Sequence, residues 1–186
     1  GYGWEKLFSE RMCRHFTEDF GLQTRVLRYH NVYGPEGTYD GGIEKAPAAI
    51  CRKIINAKIN RLKNIDVWGD GEQTRSFMYI DDCIYGTKKI FNSDSTEVFN
   101  LGSAEQVSIN QLIDIIEDIA KYKVERNYQL DKPKGVRGRS SDNQKIKETF
   151  NWSPEIKLYD GLKITYDWIY NQIKSGENTR KFTRGY

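Results

Sequence analysis

Tyr2 and Lys6 stand four residues apart at the head of an amphipathic run, so on one helix they share a face one turn apart. A nearby ammonium favours the phenolate, and a tyrosine, with an ordinary pKa of about 10, needs that help to accept a proton near pH 7. The pair suits a proton-transfer base beside a nicotinamide. By itself, Y-x-x-x-K also arises by chance and decorates a helix surface.

The elements that must position these residues follow from periodicity. Trp4, Phe8, Met12 and Phe16 recur every fourth residue with Leu7 beside them, which predicts a helix from Tyr2 to Phe20, stopped by Gly21. Thr24 to Arg28 is a β-rich run that breaks at Asn31-Val32-Tyr33-Gly34-Pro35. A glycine-rich loop (Gly34, Gly37, Gly41, Gly42) leads into a helix with Pro47 in its first turn, running to about Asn56. Short strands are expected at Ile65–Trp68, Phe77–Ile80 and Glu97–Leu101, and more weakly at Val124–Leu130. A helix begins at Asp81-Asp82 and runs to Phe91, its acids suiting the positive end of the helix dipole. Another is opened by a capping box, Ser108 with Gln111, and carries Ile109, Leu112, Ile113, Ile116 and Ala120 on one side. Lys132 to Arg139 reads as a basic loop. Helices at 142–150 and 158–173 complete the pattern, and the polar tail after Ser175 reads as frayed. Alternating strands and helices make this an α/β protein.

Composition sets outer bounds. With 186 residues, 38% hydrophobic and 30% charged, the chain has room for one domain with a real core, or a lobe of something larger. No apolar run approaches the roughly 20 residues that span a bilayer, so no membrane partner is expected. Net charge is only +3 with both signs interspersed, which gives no reason to expect nucleic acid. Cys13, Cys51 and Cys83 are widely spaced, with no C-x-x-C and no Cys/His cluster. They read as free thiols of a reducing cytosol rather than metal ligands. His30, without a Cys, Asp or His beside it, reads as structural. No strand leads into G-x-G-x-x-G or its relatives; Gly69-Asp70-Gly71 precedes Arg75 and a strand, not a helix.

Four motifs taken together are specific: Y-G-W-E-K (2–6), R-Y-H-N-V-Y-G-P (28–35), G-G-I-E-K-A-P-A-A (41–49) and W-G-D-G-E-Q-T-R-S-F (68–77). In this order they resemble the second half of the extended short-chain dehydrogenase/reductases that act on nucleotide sugars. The third motif, with G-V-R-G-R-S-S-D-N (135–143), resembles the GDP-mannose 3,5-epimerase branch of that family. The resemblance implies the C-terminal part of an extended Rossmann fold: its last sheet strands plus a small mixed α/β substrate-binding lobe, with the N-terminal dinucleotide-binding half absent. Residues 1–34 would be the remainder of the Rossmann domain. Residues 35–175 would be mainly the nucleotide-sugar lobe with returning Rossmann elements, and 176–186 a flexible tail.

The resemblance also implies roles. Tyr2 is the acid/base of a hydride step, and Lys6 holds the nicotinamide ribose of NAD and lowers the tyrosine's pKa. Oxidising the sugar at C4 gives a ketone that acidifies the hydrogens at C3 and C5, so a base on one face and an acid on the other can invert those carbons. Lys45, in E-K-A-P, matches the acid; the cysteine base opposite lies upstream of the tyrosine and matches none of the three cysteines here. A lysine at a helix start is electrostatically ill placed, which favours a functional role over a solvated one. Glu44 and Ala46 flank it as substrate contacts. Asn31 resembles a substrate contact at a strand's C-terminal end, although turn chemistry explains it nearly as well. Gln73, Thr74 and Arg75 match the nucleotide contacts, and Arg139 and Asp142, spaced R-x-x-D, match residues that hold diphosphate and ribose. Arg137 and Arg139 alone would read equally as a solvated basic turn. Lys53 resembles a phosphate contact or a surface lysine. Family likeness further implies a homodimer through the first helix, a cytoplasmic enzyme, and little activity from this chain alone. Rival readings are a sister 4-epimerase, 4,6-dehydratase or decarboxylase, or an inactive binding module.

Overall fold

The computed structural model describes residues 1–132 and 135–176. Helix α1 (Tyr2–Phe20) ends where Gly21 takes φ 67°, and the N–H groups of Gly21 and Leu22 close back on the Thr17 and Phe16 carbonyls. Strands β1 (Leu27–Tyr29) and β2 (Val32–Tyr33) follow, then α2 (Ala46–Asn60), β3 (Asn64–Trp68), β4 (Thr74–Ser76), β5 (Met78–Tyr79) and α3 (Ile80–Phe91). The chain continues through β6 (Phe99–Leu101), β7 (Gln106–Ser108), α4 (Ile109–Ala120), β8 (Glu125–Gln129), β9 (Gly138–Arg139), α5 (Gln144–Phe150) and α6 (Leu158–Ser175).

The strands form small ribbons rather than one broad sheet. Parallel pairs join β1 to β6, β2 to β5 and β3 to β8, and β4 lies between antiparallel β7 and parallel β9. Parallel partners this short need helical crossovers to return the chain, which is why helices separate them.

The main core is helical on one side. Ile50, Ile54 and Ala57 of α2, Leu112, Ile113, Ile116 and Ala120 of α4, and Leu158, Leu162 and Ile169 of α6 interlock over Ile65 and Val67 of β3. A second cluster joins Met78, Cys83, Ile90, Phe99, Leu101, Ile146 and Trp152 beneath α3 and α5. Gly86 is required there, because a Cβ would lie 2.7 Å from both Leu101 and Trp152. The capping box forms as expected, Ser108 Oγ accepting the Gln111 N–H and Gln111 Oε1 accepting the Ser108 N–H.

Three expectations need correction. The basic segment expected as loop contains β9, which pairs with β4. The expected strand at Phe77–Ile80 shrinks to β5, since Ile80 opens α3, and an unexpected strand, β4, precedes Phe77; β4 pairs with β7 and β9 while β5 pairs with β2. The first strand starts at Leu27, not Thr24, whose hydroxyl lies 3.0 Å from that of Thr17 on α1. Helix α1 has no buried residue; Trp4, Phe8, Phe16 and Phe20 lie exposed along it. Of the expected tail, 176–186, Gly176 caps α6 at φ 63°, and residues 177–186 lie outside the described residues.

Candidate functional site

Strand β1 runs on into His30, whose N–H donates to the Leu101 carbonyl at 3.0 Å. Asn31 then takes φ 36°, breaking the strand so that β2 leaves to pair with β5. Asparagine tolerates that conformation better than most residues. The Asn31 carbonyl accepts the Met78 N–H at 3.2 Å, and Asn31 Nδ2 donates to the Ser76 carbonyl at 3.0 Å. The break is thereby tied to the end of β4, the strand that carries Thr74 and Arg75.

Arg75 and Arg139 are register partners on parallel β4 and β9. Gly138 permits the approach, since a Cβ there would stand 3.1 Å from Thr74 Oγ1. The Thr74 N–H donates to the Arg137 carbonyl at 2.9 Å, and the Arg75 guanidinium donates to the Thr74 and Val136 carbonyls at 2.6 and 2.7 Å. Burial, and secondarily the charge of Arg139, push Arg75 below the ordinary arginine value. Arg137 pairs with Asp70 at 2.8 Å, pinning this segment to the Gly69-Asp70-Gly71 turn. His30 lies within reach of the same charge: burial, then Arg139, push it below the ordinary histidine value. Asp142 is exposed, its carboxylate accepting the Gln144 N–H at 3.0 Å and its carbonyl the Asn100 amide at 3.1 Å. Gln73 is 8% exposed and its Nε2 donates to the Trp68 carbonyl at 3.0 Å, so it braces the turn between β3 and β4 from inside.

A second group surrounds the start of α2. Lys45 is exposed at the N-cap, with its backbone extended at φ −75° and ψ 157°, and Ala46 is half-buried as the first helical residue. Glu44 lies beneath, its carboxylate accepting from Gly42 N–H at 2.7 Å and from Arg52 at 3.0 Å. Burial alone would raise this carboxyl; backbone N–H groups and Arg52 outweigh it and hold it below the ordinary range. Lys53 donates to the Asp66 carbonyl at 2.7 Å, and burial, with Arg52 beside it, lowers its pKa.

On α1, Lys6 Nζ sits 5.1 Å from the Tyr2 ring centroid, over its face, and Tyr2 is 75% exposed. Helix α1 is joined to β1 by the Glu10–Arg28 pair at 2.7 Å. A cleft of about 450 Å³ opens between α1 and the Thr96–Val98 segment. The buried thiols of Cys51 and Cys83 are both pushed up by burial, so neither is available as a base. Among the described residues, no group of three His, Cys, Asp or Glu side chains stands together as metal ligands, and no helix is long and apolar enough to cross a membrane.

The structure thus gathers Asn31, Thr74, Arg75 and Arg139 about β4, and Glu44, Lys45, Ala46 and Lys53 about the start of α2. Sequence reasoning missed Arg52, which lies in no motif, and the pairing of Arg137 with Asp70, two motif residues whose contact only the fold makes. It also set His30 aside, because only the fold brings that residue near Arg139.

Comparison with known proteins follows the same pattern. GDP-mannose 3,5-epimerase 1 of rice (Oryza sativa subsp. indica) is 46% identical over 185 residues, covering all of this chain and 48% of the rice protein. UDP-glucose 4-epimerase of Thermotoga maritima superposes with a TM-score of 0.83 at 30% identity, over 92% of this chain and 54% of that one. UDP-glucuronic acid 4-epimerase of Bacillus cereus, in complex with UDP-glucuronic acid and NAD, gives 0.74 at 32% identity, over 92% and 52%. The chain therefore spans about half the length of the relatives it matches. Its residues 1–102, more than half of its length, match the profile described as the NAD dependent epimerase/dehydratase family, and the chain belongs to that family.

Proposed function

We propose that this chain is the substrate-binding portion of an NAD-dependent enzyme that epimerises GDP-mannose through a transient 4-keto sugar. The observation that carries the proposal is the cationic pair Arg75–Arg139, held in register on two bonded strands. Two guanidinium groups side by side suit a diphosphate through bidentate, charge-assisted bonds. Likeness to the rice epimerase supports the sugar and the reaction.

For NAD, the residues present fit one end only. Tyr2 and Lys6 offer an open edge to a nicotinamide ribose. Among the described residues, the glycine turn Gly69-Asp70-Gly71 leads into β4 rather than a helix, and a Cβ at Gly71 would meet Asn110 at 2.3 Å, so it is filled by protein. The pyrophosphate cradle is therefore supplied from outside this chain. When bound, NAD would supply hydride chemistry at C4, as acceptor and then as donor. Tyr2 takes the C4 hydroxyl proton, with Lys6 beside it one turn along the same helix. The ketone then acidifies the C3 and C5 hydrogens. Lys45 gives a proton to carbon on one face, while a base from the complementary half removes one from the other. Arg75 and Arg139 hold the diphosphate, with Asn31, Lys53 and Asp142 as further substrate contacts. We assign the enzyme to the cytoplasm and to a homodimer.

The test is the complete enzyme with GDP-mannose in heavy water. Deuterium should enter at C3 and C5 while bound NADH becomes visible. GDP-mannose that binds and inverts at C4 without deuterium uptake would instead establish the sister 4-epimerase reading, which the likeness to the Thermotoga enzyme favours.

A further inference from the structure

One side chain outside the motifs grips the loop that ends on Lys45. Arg52, on the second turn of α2, donates through Nε to the Tyr39 carbonyl at 2.8 Å and through Nη2 to Glu44 Oε1 at 3.0 Å, with Asp40 Oδ1 3.4 Å from Nε. Glu44's other oxygen accepts the Gly42 N–H at 2.7 Å, and its side chain is only 7% exposed. Asp40 in turn accepts the Gly41 N–H at 2.9 Å. Gly41 and Gly42 take φ 100° and 90°, conformations that cost glycine little and other residues much. Two adjacent glycines also give the loop more freedom to lose on ordering than any other pair of residues. Its shape is therefore set by what holds it from outside, and the Arg52 fork contacts both ends of the turn at once.

We infer that Arg52 is a positioning residue for Lys45. Through Glu44 it fixes the Gly41–Gly42 turn, and with it the direction in which the Lys45 ammonium leaves the N-cap of α2. The inference rests on the reading of Lys45 as proton donor. A lysine at position 52 would keep the charge but lose the planar fork, so it would hold at most one end of the turn. This also gives Glu44 a role besides substrate contact: both its oxygens are engaged by the loop and by Arg52.

Two measurements separate the clamp from the proton donor. In the 186-residue chain, amide exchange at Gly42 should quicken by about tenfold in Arg52→Lys and Arg52→Ala, the scale of one lost hydrogen bond. The amides of Ile54 and Ile55 should keep their wild-type rates, which separates a loosened loop from a lost fold. Equal Gly42 exchange in all three proteins overturns the clamp. In the complete enzyme at saturating GDP-mannose, Arg52→Lys should slow deuterium uptake at C3 and C5 by on the order of 10²-fold, the cost of about 1 Å of misplacement. NADH formation and KM should stay near wild type, and the substitution should add no loss in a Lys45→Met background. A raised KM with the saturated rate intact, or a full additional loss on Lys45→Met, overturns the positioning role. If the wild-type enzyme takes up no deuterium, the proton-donor reading of Lys45 falls, and the Gly42 exchange still decides the clamp.

Discussion

Arginines rarely face one another without a reason, and the Arg75–Arg139 pair has two costs to relieve: the burial of Arg75 and its repulsion from Arg139. A bound diphosphate relieves the second directly. Arg139→Gln should therefore weaken GDP-mannose binding to this chain by roughly 10- to 100-fold, the worth of a charged hydrogen bond. Calorimetry on the two proteins checks it, and an unchanged Kd would remove Arg139 from the site. His30 provides an independent reading of the same anion. Its pKa is depressed by burial and by Arg139, so an anion that cancels the second cause raises it. Substrate binding should then take up protons, and affinity should rise as pH falls below the ordinary histidine value of about 6.5, because burial still lowers the pKa in the bound state. Titrations in buffers of different ionisation enthalpy measure the uptake; His30→Gln should abolish it. Lys45→Met belongs at this scale too. It should leave NADH formation with GDP-mannose in the complete enzyme but cut deuterium uptake by roughly 10²–10⁴-fold, the worth of general acid catalysis. Weaker substrate binding with the saturated rate intact would make Lys45 a binding residue.

At the scale of elements, the sequence was legible where periodicity is long and poorly legible where pairing decides. Helices α2, α4 and α6 repeat apolar residues over several turns, and the Ser108–Gln111 box marks its start unaided. Ser108→Ala should cost about 1 kcal/mol, lowering Tm by about 2–4 °C in a chain of this size. A Tm unchanged in calorimetry would mean the box contributes nothing. Strands β4 and β9 carry no such signal. Thr-Arg-Ser and Gly-Arg become strands because β7 lies beside one and each lies beside the other, a fact that only the assembled fold contains. The loop before α2 was legible as glycine-rich but not as clamped. Because Glu44 is held below the ordinary carboxyl range, its contribution to stability is present above its unfolded pKa of about 4.3 and is lost as pH falls through the lower folded value. The stability gap between wild type and Glu44→Gln, read from denaturant unfolding, should be full near pH 7 and shrink in acid below about pH 4. A gap independent of pH would show that the carboxylate's charge is idle.

At the scale of the whole molecule, α1 poses the remaining problem, because it presents Tyr2 and Lys6 without burying any of its own residues. Trp4 and Phe8 are 76% and 65% exposed, and Leu7, Phe16 and Phe20 extend the apolar surface along the helix. An apolar surface that continuous is a contact surface. The helix's spacing was legible in the sequence; what covers it was not, since periodicity reports that a face is apolar but not what lies against it. We expect the complete enzyme to dimerise through this helix, and Phe8→Glu to shift it toward monomer in sedimentation, since a charge there is buried unpaired. The same exposure bears on the cofactor. On the proposed reading Tyr2 and Lys6 touch only the nicotinamide ribose, whereas most of a dinucleotide's binding energy is drawn from a glycine-rich turn and helix N-terminus about its pyrophosphate. The glycine turn that this chain does contain is filled by Asn110 and followed by a strand. The 186-residue chain alone should accordingly show no micromolar affinity for NAD in calorimetry while still binding GDP-mannose through Arg75 and Arg139. Adding the dinucleotide-binding half should restore NAD binding. Micromolar NAD affinity of the isolated chain would mean that Tyr2, Lys6 and their neighbours form a complete cofactor site, and the division of labour proposed between the two halves would be wrong.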